Sequence, residues 1–122
     1  MAKSDWAENQ TLTTLLAGTR YIALCSAAPT DAQTGSNIPE LSGNGYARQA
    51  ATFTTTGSTS TNAAAVNFTA SGGNWVQATH VVVLTAATGG NVVYYGALTN
   101  PITLNNGETG TIPIGSISIS EN

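Results

Sequence analysis

The chain has 122 residues and a mass of 12.4 kDa, the size of one domain built on one core. Three cations stand against six carboxylates for a net charge of −3, so there is no basic stripe to displace counterions from a phosphate backbone, and nucleic acid is not an expected partner. One cysteine rules out an intrachain disulfide or a multi-cysteine zinc site, and no run approaches the ~20 apolar residues of a membrane helix or the pattern of a signal peptide. The expectation is a soluble chain, made inside the cell, with no membrane partner.

Residues 1–18 are expected to form an N-terminal arm and helix, and residues 19–122 a β-rich body. The helix signal covers residues 5–18, with Asp5 as N-cap, Glu8 completing a capping box and Gly18 beyond the last leucine. Trp6, Leu12, Leu15 and Leu16 share one broad face. Threonines at 11, 13 and 14 lower the intrinsic propensity, so the helix needs a surface to lie against.

From Arg20 the pattern changes to strands punctuated by Gly, Asn, Ser and Pro. Tyr21 to Cys25 alternates. Residues 28–44 read as a long loop, a length at which loops are often functional or ordered by a partner. Tyr46 to Phe53 reads as one strand, and the Thr/Ser tract at 54–62 as a loop or frayed hairpin end lacking core residues. Further strands are expected at Ala64 to Phe68, Gln77 to Thr85 and Val92 to Leu98, the last two joined through a hairpin turn at Thr88-Gly89-Gly90-Asn91. A short strand follows at Ile102 to Leu104. The isoleucines at 112, 114, 117 and 119 keep period two only if a bulge or bend intervenes at Gly115-Ser116. Seven or eight such strands imply a mainly β fold, an antiparallel β-sandwich of jelly-roll or Ig-like type with one N-terminal α-helix.

Little in the sequence points to catalysis. His80, the one histidine, lies in a Val-rich run and reads as a buried or interface imidazole; a Cys25–His80 dyad is the outlying alternative. The six carboxylates are scattered, and no phosphate loop, EF-hand or histidine-rich metal motif is present, so no cofactor, metal or catalytic residue is expected. Trp6, Trp75, Tyr94 and Tyr95 could be core, interface anchors or a sugar-binding platform. For Trp75, core and interface readings are equally good. Arg48, a rare charge on a strand, reads as an ion-pair or interface residue.

Charged residues make up 7% of the chain where about 25% is usual, and 45 residues are Ser, Thr, Asn or Gln. A surface of hydroxyls and amides suits a protein covered by partners better than a free monomer.

The run Tyr21-Ile22-Ala23-Leu24-Cys25-Ser26-Ala27-Ala28-Pro29-Thr30-Asp31-Ala32, then Gly43-Asn44-Gly45-Tyr46-Ala47-Arg48-Gln49-Ala50, resembles small tailed-bacteriophage virion proteins of the tail fibre-like kind. The similarity continues through Asn62 to Phe68, Trp75, Thr79-His80 and Thr85 to Leu98. The resemblance implies a non-enzymatic virion protein, assembled in the host cytoplasm. Lacking a fibrous repeat or long coiled coil, the chain is expected to be a capsid cement or decoration protein. Its expected partners are the major capsid protein and neighbouring copies of itself in a homotrimer. The alternative is a tail fibre or tail-tip component that binds a host surface glycan. Candidate interface residues are Trp6, Leu12, Leu16, Asp31, Tyr46, Arg48, Trp75 and Tyr95.

Overall fold

The computed structural model describes residues 1–121. One helix, α1 (Asp5–Leu15), precedes nine strands: β1 (Arg20–Cys25), β2 (Gln49–Ala51), β3 (Phe53–Thr56), β4 (Thr59–Asn62), β5 (Val66–Thr69), β6 (Ala78–Leu84), β7 (Val92–Ile102), β8 (Thr109–Ile112) and β9 (Ser118–Ser120). All pairings are antiparallel. The fold is mainly β with one helix, as the sequence led us to expect. One layer is a four-stranded sheet of order β2-β1-β6-β7; two further sheets, β3-β4-β9 and the pair β5-β8, share a core with it.

The main core lies between these sheets. Ile22 and Leu24 of β1 and Val83 of β6 meet Val66 and Phe68 of β5, Ile112 of β8 and Ile119 of β9, with Leu12 and Leu16 of the helical segment in the same cluster. The helix thus shares its core with the strands. Alternate residues of the four-stranded sheet, Ala23, Cys25, Val82 and Leu84, point to its other face, where Ile38 of the long loop covers them. That loop is ordered by the sheet it lies on.

The helix differs in detail from its sequence signal. Ser4, not Asp5, is the N-cap, its hydroxyl accepting from the Ala7 N–H at 3.2 Å. Glu8 sits one position beyond the capping-box site, and its carboxylate accepts from the Ser58 hydroxyl at 2.8 Å. Asn9 donates to the Gly57 carbonyl at 2.8 Å, so the helix is docked on the turn between β3 and β4. Leu12 and Leu16 are buried, whereas Trp6 is 73% exposed and Leu15 is also exposed; the apolar face is narrower than four residues.

The expected strand from Tyr46 to Phe53 is broken. β2 pairs with β1 in one sheet and β3 pairs with β4 in another, so the chain changes sheets at Thr52, and Tyr46 lies before the first strand residue. The tract at 54–62 is an ordered hairpin rather than a loop. Its small polar side chains point inward, with Ser60 and Asn62 buried. Asn62 donates to the carbonyls of Ala64 at 2.8 Å and Pro113 at 3.0 Å, and accepts from the Ile117 N–H at 2.9 Å.

The hairpin joining β6 and β7 is present, pairing Leu84 with Val92. β7 extends to Ile102, with residues 98–101 bulging between the pairs His80–Ala97 and Ala78–Ile102, so Ile102 ends this strand instead of opening another. The bend at Gly115 (φ 80°) is also present. It carries the chain from β8 to β9, between sheets, and leaves Ile114 exposed while Ile112, Ile117 and Ile119 are buried.

Candidate functional site

Arg48 lies between Tyr46 and β2, where the sheet edge meets the long loop. Its guanidinium grips Glu40 with two parallel bonds, Nε to Oε2 and Nη2 to Oε1, both 2.9 Å. It also donates to the carbonyls of Ala86 (2.9 Å) and Gly89 (2.8 Å) in the β6–β7 turn and Gly35 (2.9 Å) in the loop. The Arg48 side chain is only 4% exposed. A planar fork of donors is the group that can serve a carboxylate and three carbonyls at once. The bonds to Glu40 hold the Arg48 pKa above its ordinary value.

Tyr46 completes this cluster. Its hydroxyl donates to Glu40 Oε2 at 2.6 Å and accepts from the Leu24 N–H at 3.0 Å. Burial, and secondarily the bond to Glu40, raises the phenol pKa far above its ordinary value. The Tyr46 ring stacks on Phe68, with centroids 6.3 Å apart, and meets Trp75 edge-on at 5.4 Å. Trp75 Nε1 donates to the Asn44 carbonyl at 2.8 Å. Gly35 closes the cluster: its N–H donates to the Gly90 carbonyl at 3.0 Å, and a Cβ there would lie 1.8 Å from the Gly89 oxygen.

These contacts locate the sequence candidates. Tyr46, Arg48 and Trp75 meet in one internal cluster, and Leu12 and Leu16 are in the core. Asp31 and Tyr95 meet elsewhere, the Tyr95 hydroxyl donating to Asp31 and tying the loop to the outer face of β7; this bond raises the Tyr95 pKa. Trp6 stands apart, exposed on α1. Of the aromatics considered for a sugar platform, Trp75 is buried. Tyr94 is half-buried and donates to Glu121 at 3.1 Å, and burial lifts its pKa to about 12.

Sequence reasoning missed Glu40, Gly35 and Asn62. Glu40 was findable, because a buried arginine requires a carboxylate and Pro39-Glu40-Leu41 places one among apolar neighbours. Asn62 sits in a tract whose alternation is of small polar groups, which carries no hydrophobic signal.

Cys25 and His80 are cross-strand partners in the β1–β6 register, but this proximity does not make a nucleophile. The thiol is buried, and desolvation lifts its pKa to about 11, whereas a reactive cysteine requires a lowered one. His80 Nδ1 is engaged with the Thr79 hydroxyl at 2.8 Å. Among the described residues there is no group of three or more His, Cys, Asp or Glu able to hold a metal ion.

Each cation bonds within the chain. Lys3 pairs with Glu121 at 2.6 Å, Arg20 donates to the Leu15 carbonyl at 2.7 Å at the end of α1, and Arg48 serves the cluster. A cleft of about 860 Å³ lies between β7 and the β8–β9 segment. Its lining mixes Val81 and Val83 of β6, Leu98 of β7 and Ile112 and Ile117 opposite with polar Thr99, Asn100, Thr111 and Ser116, and holds no charged residue.

The fold is therefore built from turns, an internal staple and an uncharged cleft rather than from reactive groups. The sequence model of the family described as "Podophage GP4 fiber I protein gp80" matches residues 2–120. The chain belongs to this family. It is accordingly a structural protein of the bacteriophage virion, as the resemblance in its strand and turn segments implied. A search of curated proteins finds no match.

Proposed function

We propose that the protein is a non-enzymatic subunit of a virion fibre, acting through contacts with other virion chains and with its own copies. The family match over residues 2–120, to a family described as a fibre protein, carries this reading. The raised Cys25 pKa and the engagement of Arg48, Glu40 and Tyr46 in holding the fold together support the non-enzymatic part of this reading. Host-surface glycan binding has less support, since Trp75 is in the core and Tyr94 and Tyr95 are both hydrogen-bonded within the chain.

A capsid cement or decoration subunit is the competing placement, favoured by the scarcity of charge. Immunogold electron microscopy of intact particles, with antibody against this chain, separates the two. Label confined to appendages supports the fibre reading, and label spread over the head shell overturns it in favour of cement. A saturable sugar-dependent change in tryptophan fluorescence would restore the glycan reading.

A further inference from the structure

Among the described residues, a single hydrogen bond joins β7 to the β8–β9 side of the molecule. No backbone hydrogen bond reaches β7 from any strand but β6. Its side-chain bonds run from Tyr95 to Asp31 in the long loop and from Tyr94 to Glu121. Glu121 directly follows β9 and is anchored there, its N–H donating to the Ser58 carbonyl at 3.0 Å. Tyr94 and Ser120 both line the cleft, so the Glu121 carboxylate spans one end of it.

The same carboxylate holds the N-terminal arm. Glu121 Oε1 accepts from Lys3 Nζ at 2.6 Å, and Oε2 accepts from the Tyr94 hydroxyl at 3.1 Å. Residues 1–3 are exposed and, among the described residues, make no backbone hydrogen bond. Beyond Glu121, Lys3 reaches only the Thr11 hydroxyl of α1, at 3.3 Å. A surface ion pair alone is a weak tie, but here one carboxylate, with its side chain 19% exposed, serves the arm and β7 together.

The charge on that carboxylate decides whether both bonds hold. Ionised, it only accepts, which suits an ammonium and a phenol; protonated, it presents a donor of its own and loses its attraction for the ammonium. The groups that face it are Lys3 on the arm and Tyr94 on β7, while Glu8 of α1 bonds to the hydroxyl of Ser58, whose carbonyl anchors Glu121. The Lys3 ammonium holds the Glu121 carboxyl below its ordinary pKa against the effect of partial burial, and the Tyr94 hydroxyl adds to the lowering. A carboxyl with a depressed folded pKa contributes its tie fully above the unfolded value, about 4.3 for glutamate. That contribution is lost as pH falls through the lower folded value.

We propose that Glu121 is a proton-released latch: ionised, it straps the N-terminal arm to β7 across the end of the cleft, and protonated, it frees the arm and leaves β7 without a bond to the β8–β9 side. The latch is a property of the single chain and does not rest on the fibre reading.

The test is NMR on the full chain from about pH 7 to about pH 3, following the Glu121 carboxyl carbon, the Tyr94 ring and backbone order parameters. In wild type the Glu121 midpoint lies below the free value of about 4.3, and the Tyr94 ring signals move with it. Over the same interval the order parameters of residues 2–4 fall below about 0.6, while β1 and β6 stay near ~0.85. Glu121→Gln has the mobile arm already at neutral pH and shows no acid step. Lys3→Met changes an exposed residue, so it tests the latch even if the first variant does not fold; it frees the arm and moves the Glu121 midpoint up toward the free value. Three results overturn the proposal: arm order that neither variant changes, a wild-type Glu121 midpoint at or above the free value, or loss of order in the arm, β1 and β6 at one pH, which is acid unfolding of the whole chain.

Discussion

Replacing Arg48 by Met removes five hydrogen bonds, two to Glu40 and one each to Gly35, Ala86 and Gly89. Breaking a buried ion pair by deleting one partner costs about 3–5 kcal/mol, because the remaining charge is left without its counter-ion. Glu40 is 18% exposed in its side chain and keeps its bond from Tyr46, which moves the expected loss to the lower part of that range, about 3 kcal/mol. A domain of this length has roughly 6–18 kcal/mol of stability, so the variant folds with a clearly lowered midpoint. The melting temperature falls by about 12 °C, at ~4 °C per kcal/mol for this size.

Urea unfolding followed by circular dichroism measures the loss, provided the slope is unchanged. Adding Glu40→Gln removes the orphaned carboxylate, so the double variant is more stable than the two single losses summed, by about 1.5–3 kcal/mol. Arg48→Lys retains the charge but not the fork and falls between wild type and Arg48→Met. If Arg48→Met stays within about 1 kcal/mol of wild type, or the double cycle is additive, Arg48 is not the staple of the loop and turn.

Asn62→Ala leaves the Ile117 N–H and the Ala64 and Pro113 carbonyls without their side-chain partner, and the expected cost in urea unfolding is about 2–4 kcal/mol; a change below about 0.5 kcal/mol would place the hold on the 113–117 turn elsewhere. With its pKa raised to about 11, Cys25 resists thiol reagents at pH 8 in the native protein and reacts once the chain is unfolded. Rapid native labelling would refute its burial. Tyr46 and Tyr94 have folded-state pKa values above that of a free tyrosine, Tyr94 at about 12. Their contribution is therefore fully present below the free value near 10 and is lost as pH rises through the folded values. The melting temperature should fall between pH 10 and 12 in wild type, and less steeply in Tyr94→Phe, which lacks the titrating phenol.

The legible parts of the fold were those marked by hydrophobic alternation or glycine turns. Tyr21 to Cys25, the Val-rich β6 and the Gly89-Gly90 hairpin show both faces of a buried sheet in the order of their side chains. The 54–62 hairpin was illegible because its buried members are Ser60 and Asn62, whose inward orientation rests on hydrogen bonds to the Thr54 carbonyl across the hairpin and to the distant Pro113 carbonyl and Ile117 N–H. The change of sheet at Thr52 left no break in composition between Ala51 and Phe53, both compatible with one continuous strand. In the candidate site, Tyr46, Arg48 and Trp75 stand out as rare residue types, but their convergence depends on a loop path that only tertiary contacts with Glu40, Gly35 and Asn44 define.

The internal engagement of Lys3, Arg20 and Arg48 bears on how this subunit responds to ionic strength. Mobile ions weaken attraction between exposed charges over a Debye length of about 8–10 Å under ordinary conditions, and here they act on the exposed Lys3–Glu121 pair, whereas the buried Arg48 cluster and the uncharged cleft give them little to act on. A contact made through the uncharged cleft would gain from strongly excluded salts such as sulfate, which favour apolar burial. A concentrated salt rinse that strips electrostatically held proteins from a particle should therefore leave this one in place, whereas a chaotrope should release it.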